Sequence, residues 1–174
     1  MAGDVTLGVF IAIPEPHASV LSGWRHRVGY PQAALIPPHV TLLPPTPIRR
    51  GELAAVRKHL AQVAESASRF SMHLYGTGTF RPLSPVVFIQ IARGIANCEM
   101  LENLVRSGPL ARALEFPYHP HVTVAQDIPD PALDDVYDSL SDFVARFQVN
   151  AFRLLERHPD GSWSTRDDFD LSAA

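Results

Sequence analysis

Apolar and polar positions change period along the chain, and each change marks an element. Val5 to Ile13 is a near-continuous apolar run ended by Pro14, which predicts a buried strand. From about Pro16 to Arg27, apolar and charged residues suit a helix closed near Gly29 and Pro31. A β-branched stretch from His39 reads as the next strand, followed by a proline-rich turn at Pro44-Pro45-Thr46-Pro47. Leu53, Val56, Leu60, Val63 and Ala64 recur at helical spacing between Gly51 and about Ser68. Phe70 to Phe80 is then a strand loosened at its end by Gly76 and Gly78.

The same order returns in the second half. Val86 to Ala92 is a strand, and Ala96 to about Leu114 a helix with a kink or break at Gly108-Pro109. A second strand of the His39 type begins at His121. Pro131 to about Arg146 is a helix with proline near its start. Phe147 to His158 is a strand, and Asp160-Gly161 turns it back through Trp163 and Phe169 to Leu171. Each half reads strand, helix, strand, helix, strand, over residues 5–81 and 86–171, with Pro82 to Pro85 as the joint. Two repeats are too few for a solenoid. The pattern is an internal duplication within one domain spanning residues 1–174, two lobes packed about a pseudo-twofold axis.

The duplicated strands carry the candidate chemistry. Pro38-His39-Val40-Thr41-Leu42 and Pro120-His121-Val122-Thr123-Val124 match position by position. A strand has period two, so His and Thr share one face and Val takes the other. Two such strands brought face to face supply two imidazoles and two hydroxyls around one cavity. In-line cleavage of a phosphodiester needs that set. One imidazole takes a proton from the attacking oxygen, and another gives one to the leaving oxygen. The hydroxyls donate to the non-bridging oxygens, where charge accumulates. This scheme calls for no cofactor and no metal. Read alone, the pair also fits two structural strand histidines in a duplicated fold.

Composition narrows the substrate. The 174 residues carry a net charge of −3, with 46% hydrophobic and 19% charged residues. That argues against an extended electrostatic grip on long nucleic acid and leaves room for a small phosphate ligand held by a local positive patch. Lys58 is the only lysine among the 15 Lys and Arg residues. Cys98 is the only cysteine, so an internal disulfide and a cysteine-based zinc site are excluded. Met1-Ala2-Gly3-Asp4 lacks the basic region of a leader, and the apolar run from Val5 to Ile13 is too short to cross a membrane. A cytoplasmic monomer is expected.

The paired motifs resemble the signature of the two-histidine phosphoesterase superfamily. Within it the chain most resembles the 2′-5′ RNA ligase / RNA 2′,3′-cyclic phosphodiesterase branch, over about residues 5 to 171. The first strand ending at Ile13-Pro14, the Gly76-Thr77-Gly78-Thr79-Phe80 segment and the final hairpin sit where that branch has similar elements. The resemblance implies an α+β fold of two antiparallel-sheet lobes with outer helices around a central cleft. It implies hydrolysis of a 2′,3′-cyclic phosphate on a nucleotide or RNA terminus to a 2′-phosphate. It makes His39 and His121 the catalytic pair and Thr41 and Thr123 the phosphate donors, with His121 activating water and His39 protonating the leaving 3′ oxygen. The branch often places a basic residue after its second motif, where this chain has Ala125-Gln126.

Tyr118, Gln126 and Arg49 are further candidate substrate contacts: a ring to stack on a base, an amide for a phosphate and a guanidinium for a phosphate tail. Arg49 and Arg50 also fit a solvated helix start, and Phe10 fits the core. His119 and His121 share the spacing of strand metal ligands, but Pro120 separates them and no acidic or cysteine cluster completes a site. Three other readings remain open. One is another two-histidine activity, such as opening a cyclic phosphate on an ADP-ribose derivative or trimming an RNA end. The others are a catalytically inactive nucleotide- or RNA-binding module and a metal-dependent hydrolase.

Overall fold

The computed structural model of the chain describes residues 3–173. Met1 and Ala2, which open the non-basic N-terminal stretch, lie outside the described residues, as does Ala174. The first half comprises β1 (Asp4–Ala12), α1 (His17–Arg27), β2 (His39–Arg49), α2 (Leu53–Ser66) and β3 (Phe70–Thr79). The second comprises β4 (Val86–Arg93), α3 (Ile95–Val105), β5 (Val122–Gln126), α4 (Asp130–Ser139), β6 (Val144–Val149), β7 (Ala151–Arg157) and β8 (Trp163–Asp170).

The strands form two four-stranded antiparallel sheets, ordered β2-β1-β7-β8 and β5-β4-β3-β6. The first sheet takes β7 and β8 from the second half, and the second sheet takes β3 from the first. β7 pairs with β1, and β3 pairs with β4. The helices cross over too, with α1 against β5 and α3 against β2. The result is the expected α+β bilobal fold, its halves interleaved. One apolar core cluster runs through both sheets and includes Val40, Leu42, Val122 and Val124. With these side chains turned inward, the alternation of the strand leaves His39, Thr41, His121 and Thr123 half-buried on the opposite side.

Four boundaries differ from the sequence reading. The Pro44–Pro47 turn is part of β2, an edge strand, where a missing N–H costs no internal ladder bond. Pro44 and Pro45 fall at a register shift, where the pairing passes from Leu7–Thr46 to Val9–Leu43. Helix α3 stops at Val105, because Gly108 adopts φ 54° and Pro109 opens a short 3-10 turn. The chain then runs to His121 without regular structure. Helix α4 stops at Ser139, and the end of the expected helix, from Val144, belongs to strand β6. The expected strand from Phe147 to His158 is divided at Asn150 between the two sheets. Among the described residues, no helix is long and apolar enough to cross a membrane.

Candidate active site

A cleft of about 870 Å³ opens where the two motif strands approach, and His39, Thr41 and Thr123 line it. Most of its wall comes from the first sheet and its loops, including Phe10, Tyr30, Arg157 and Trp163. The second lobe contributes Thr123, Gln126 and Asp127. His121 stands just before β5, beside this wall, with its ring against Phe80 and Phe88.

The two histidines are anchored alike. His39 Nδ1 lies 2.8 Å from the Pro37 carbonyl oxygen, and His121 Nδ1 lies 2.6 Å from the His119 carbonyl oxygen. A carbonyl only accepts, so in each ring Nδ1 carries the proton and Nε2 is left with its lone pair. Proline at 38 and 120 fixes φ between each carbonyl and its histidine. Phe10 pairs across the sheet with Thr41, and Phe88 with Thr123. Each motif threonine therefore has an aromatic ring at the matched position on the neighbouring strand. Glycine makes room for those rings. A Cβ at Gly8 would come within 2.9 Å of Phe10, and one at Gly78 within 2.6 Å of Phe88.

Burial pushes the His39 imidazole down to about 4, and the Arg25 guanidinium and His121 add to the effect. Its bond to Pro37 opposes the shift without cancelling it. Burial likewise holds His121 below the ordinary histidine value. Both rings are thus neutral at pH 7 in the free protein. Arg25, on α1, is itself almost wholly buried. Its Nη1 donates to the Ile36 carbonyl at 2.8 Å, and its guanidinium lies 5.3 Å from the centre of the Tyr30 ring. Its Nε has no hydrogen-bond partner, and none of the ion pairs among the described residues includes it. A positive charge without a carboxylate therefore stands behind the segment that carries His39.

The other sequence candidates fall in different places. Gln126 lines the cleft. Tyr118 does not, because its hydroxyl donates to the Thr41 carbonyl at 2.7 Å. It ties the segment before His121 to the strand bearing His39. Arg112, in the same segment, reaches Thr46 Oγ1 at 2.8 Å. Arg49 is exposed at the end of β2, and Arg50 lines the cleft in its place. Among the described residues, no three His, Cys, Asp or Glu side chains gather as metal ligands. Sequence reasoning missed Trp163, Arg157 and Tyr30, which reach the cleft from distant segments, and it left Phe10 to the core. Phe10 is buried and also forms the floor beneath His39.

Comparison with known proteins bears on the family and the fold. A family model described as the 2′-5′ RNA ligase superfamily matches residues 13–161. A Halalkalibacterium halodurans protein named "Putative phosphoesterase" is 30% identical, over 94% of this chain and 96% of its own length. A Bacillus mycoides protein of the same name is 27% identical, over 95% and 96%. Among solved structures, E. coli LigT complexed with 3′-AMP superposes with a TM-score of 0.74 at 19% identity, covering 97% of this chain and 99% of that one. E. coli LigT complexed with NADP+ gives 0.73 at 21% identity, covering 97% and 98%.

Proposed function

The chain belongs to the 2′-5′ RNA ligase superfamily of two-histidine phosphoesterases, and we propose that it opens a 2′,3′-cyclic phosphate on a nucleotide or RNA terminus to leave a 2′-phosphate. In the proposed reaction a water oxygen bonds to phosphorus as the bond from phosphorus to O3′ breaks. One imidazole takes the water proton and the other gives a proton to O3′. Thr41 and Thr123 donate to the non-bridging oxygens, and no metal ion takes part. One observation carries this reading: both motif histidines hold Nδ1–H on a backbone carbonyl two residues back, which leaves two Nε2 atoms for proton transfer.

The resemblance gives His121 the base role and His39 the acid role. A neutral imidazole is ready to act as base. The acid must first gain a proton, and an anionic phosphate between the rings favours the imidazolium form. Nucleotides are held by the E. coli LigT structures named above, and the cleft here has room for a nucleotide.

The test is turnover of the four nucleoside 2′,3′-cyclic phosphates in EDTA, with product regiochemistry read by phosphorus NMR. Formation of 2′-phosphates is the expected result. Formation of 3′-phosphates, or turnover that needs an added metal ion, overturns the proposal.

A further inference from the structure

The side of the second sheet that carries Phe88 continues past the cleft as an open surface. On β4, Phe88 and Gln90 face away from the core while Ile89 and Ile91 are buried in it. On β3, Met72 and Leu74 point inward, so Ser71, His73 and Tyr75 point outward. On β6, Ala145 and Val149 are buried, and Val144, Arg146 and Gln148 are exposed. Past Ile91 the β3–β4 pairing shifts register, from Leu74–Ile91 to His73–Arg93, so Arg93 leaves the alternation of β4 and shares the outward face of His73, while β6 sets Arg146 opposite His73 on the other side. A row of Arg93, His73 and Arg146 therefore crosses three strands. Tyr75, 52% exposed, stands next along β3. None of these outward positions is an Asp or Glu.

The matched pair of strands in the first sheet is built differently. There β7 and β8 set Arg153 opposite Asp168, and the two form an ion pair at 2.8 Å. Arg166 pairs with Glu156, and Arg57 of α2 with Asp167 at 2.7 Å. Arg93 and Arg146 take part in no ion pair among the described residues. In a chain of net charge −3, Arg153 and Arg166 of the β7–β8 pair are neutralised by carboxylates, whereas Arg93 and Arg146 are left to solvent.

We infer that this face of the second sheet binds the single-stranded RNA leading to the terminal phosphate, with Arg93 and Arg146 on backbone phosphates and Tyr75 stacked on a base. The inference rests on the proposed reaction, since it concerns the same substrate. Three features support it. The charge complements a polyanion. An exposed aromatic ring beside the arginines is the pairing that single-stranded nucleic acid uses. The surface is also continuous with the site, since Phe88 packs on His121 and lies about 17 Å along β4 from Arg93 at the rise of a strand. The low overall charge excludes a broad grip, whereas this patch is local.

The experiment compares a nucleoside 2′,3′-cyclic phosphate with an octanucleotide ending in a cyclic phosphate. Wild-type protein is set against Arg93→Glu/Arg146→Glu and, separately, Tyr75→Ala. The octanucleotide should show the lower KM. The double variant should raise that KM by about tenfold or more and flatten its salt dependence by a log–log slope of about 1.4 for two lost single-strand phosphate contacts. Turnover of the nucleoside substrate should be unchanged. Tyr75→Ala should raise the octanucleotide KM with little change in salt slope. Nucleoside turnover with no advantage for the octanucleotide, or an advantage the double variant keeps, overturns the inference and leaves the reaction standing. Absence of turnover on both substrates removes the reaction instead. Binding of a labelled octanucleotide then decides the surface: a tenfold loss in the double variant supports it, and equal binding overturns it. Polyglutamate binding as tight as RNA overturns the assignment to RNA.

Discussion

His39 lies against Phe10 with ring centroids 4.1 Å apart and planes 27° from parallel, whereas His121 meets Phe80 and Phe88 at 5.0 and 5.1 Å with planes at 89° and 58°. Phe10 and Phe88 hold equivalent positions, each paired with a motif threonine. Their surroundings differ. Phe88 has Phe80 4.5 Å away, and Phe10 has Trp163 at 5.5 Å, nearly edge-on. Arg25 acts on His39, while His119 acts on His121. The backbone devices are thus duplicated: the proline, the Nδ1 bond and the register. The packing around the rings is not. The proposed acid–base pair would need that asymmetry, because identical environments give identical proton affinities and no preferred direction of transfer.

The largest effects should come from removing either arm of the pair. His39→Ala and His121→Ala should each lower kcat by about 10²–10⁴-fold. The double variant should lose little more than the worse single variant, since the groups act as a unit. Circular dichroism and thermal unfolding check that the fold survives. If each single variant kept near-normal turnover, the two-histidine mechanism would be wrong. Thr41→Ala and Thr123→Ala each remove one donor to the phosphate and should cost less, about 10–10²-fold in kcat. Both lines of loss should appear in kcat more than in KM.

Much of the comparison between the halves was legible in the sequence. The strand alternation and the repeated Pro-His-Val-Thr segments required no tertiary knowledge, because period-two burial acts on each residue locally. The misread boundaries have a non-local cause. Val144 to Arg146 reads as the last turn of the helix, and it opens strand β6 because β3 offers an unpaired edge beside it. Pro44 and Pro45 signal a turn on local grounds, yet β1 runs antiparallel to them with a register shift that accommodates both. Arg157 joins the cleft through pairing of β7 with β1, a contact between residues far apart in sequence, and Trp163 of β8 follows it by pairing with Arg157. Tyr118 was noticed for the wrong atom: the ring suggested base stacking, and the hydroxyl is committed to the Thr41 carbonyl.

That hydrogen bond gives a smaller, more specific test of how the halves are aligned. Tyr118→Phe keeps the half-buried ring and removes only the hydroxyl, leaving the Thr41 carbonyl without this donor. A net loss of about 1 kcal/mol in stability is expected. If the bond sets the spacing between the two motifs, kcat should fall about tenfold with KM nearly unchanged, as misplacement of a proton-transfer group predicts. A stability loss without a change in kcat would make Tyr118 a packing residue only.

The finest test concerns Arg25, whose charge acts on His39, whereas the charge acting on His121 is that of His119. Both free-protein histidines titrate below the ordinary 6.5, so the bell-shaped profile of kcat/KM, which reports the free enzyme, should peak below pH 6.5. The kcat profile should peak at higher pH, because bound phosphate raises both values. Burial is the main reason His39 is depressed, and the Arg25 charge is a lesser one. Arg25→Gln should therefore raise the limb of the kcat/KM profile that belongs to His39 by less than about one pH unit, while Arg25→Lys should not. The same shift should appear in stability. A histidine whose folded value lies near 4 and unfolded value near 6.5 destabilises the fold as pH falls through that window, by about 2 kcal/mol between pH 7 and pH 4.5. Urea unfolding at the two pH values should show that loss in wild type, less of it in Arg25→Gln and none of the His39 share in His39→Gln. If Arg25→Gln moves neither the kinetic limb nor the acid sensitivity, the buried guanidinium supports only the Ile36 carbonyl, and the asymmetry between the two histidines rests on ring packing alone.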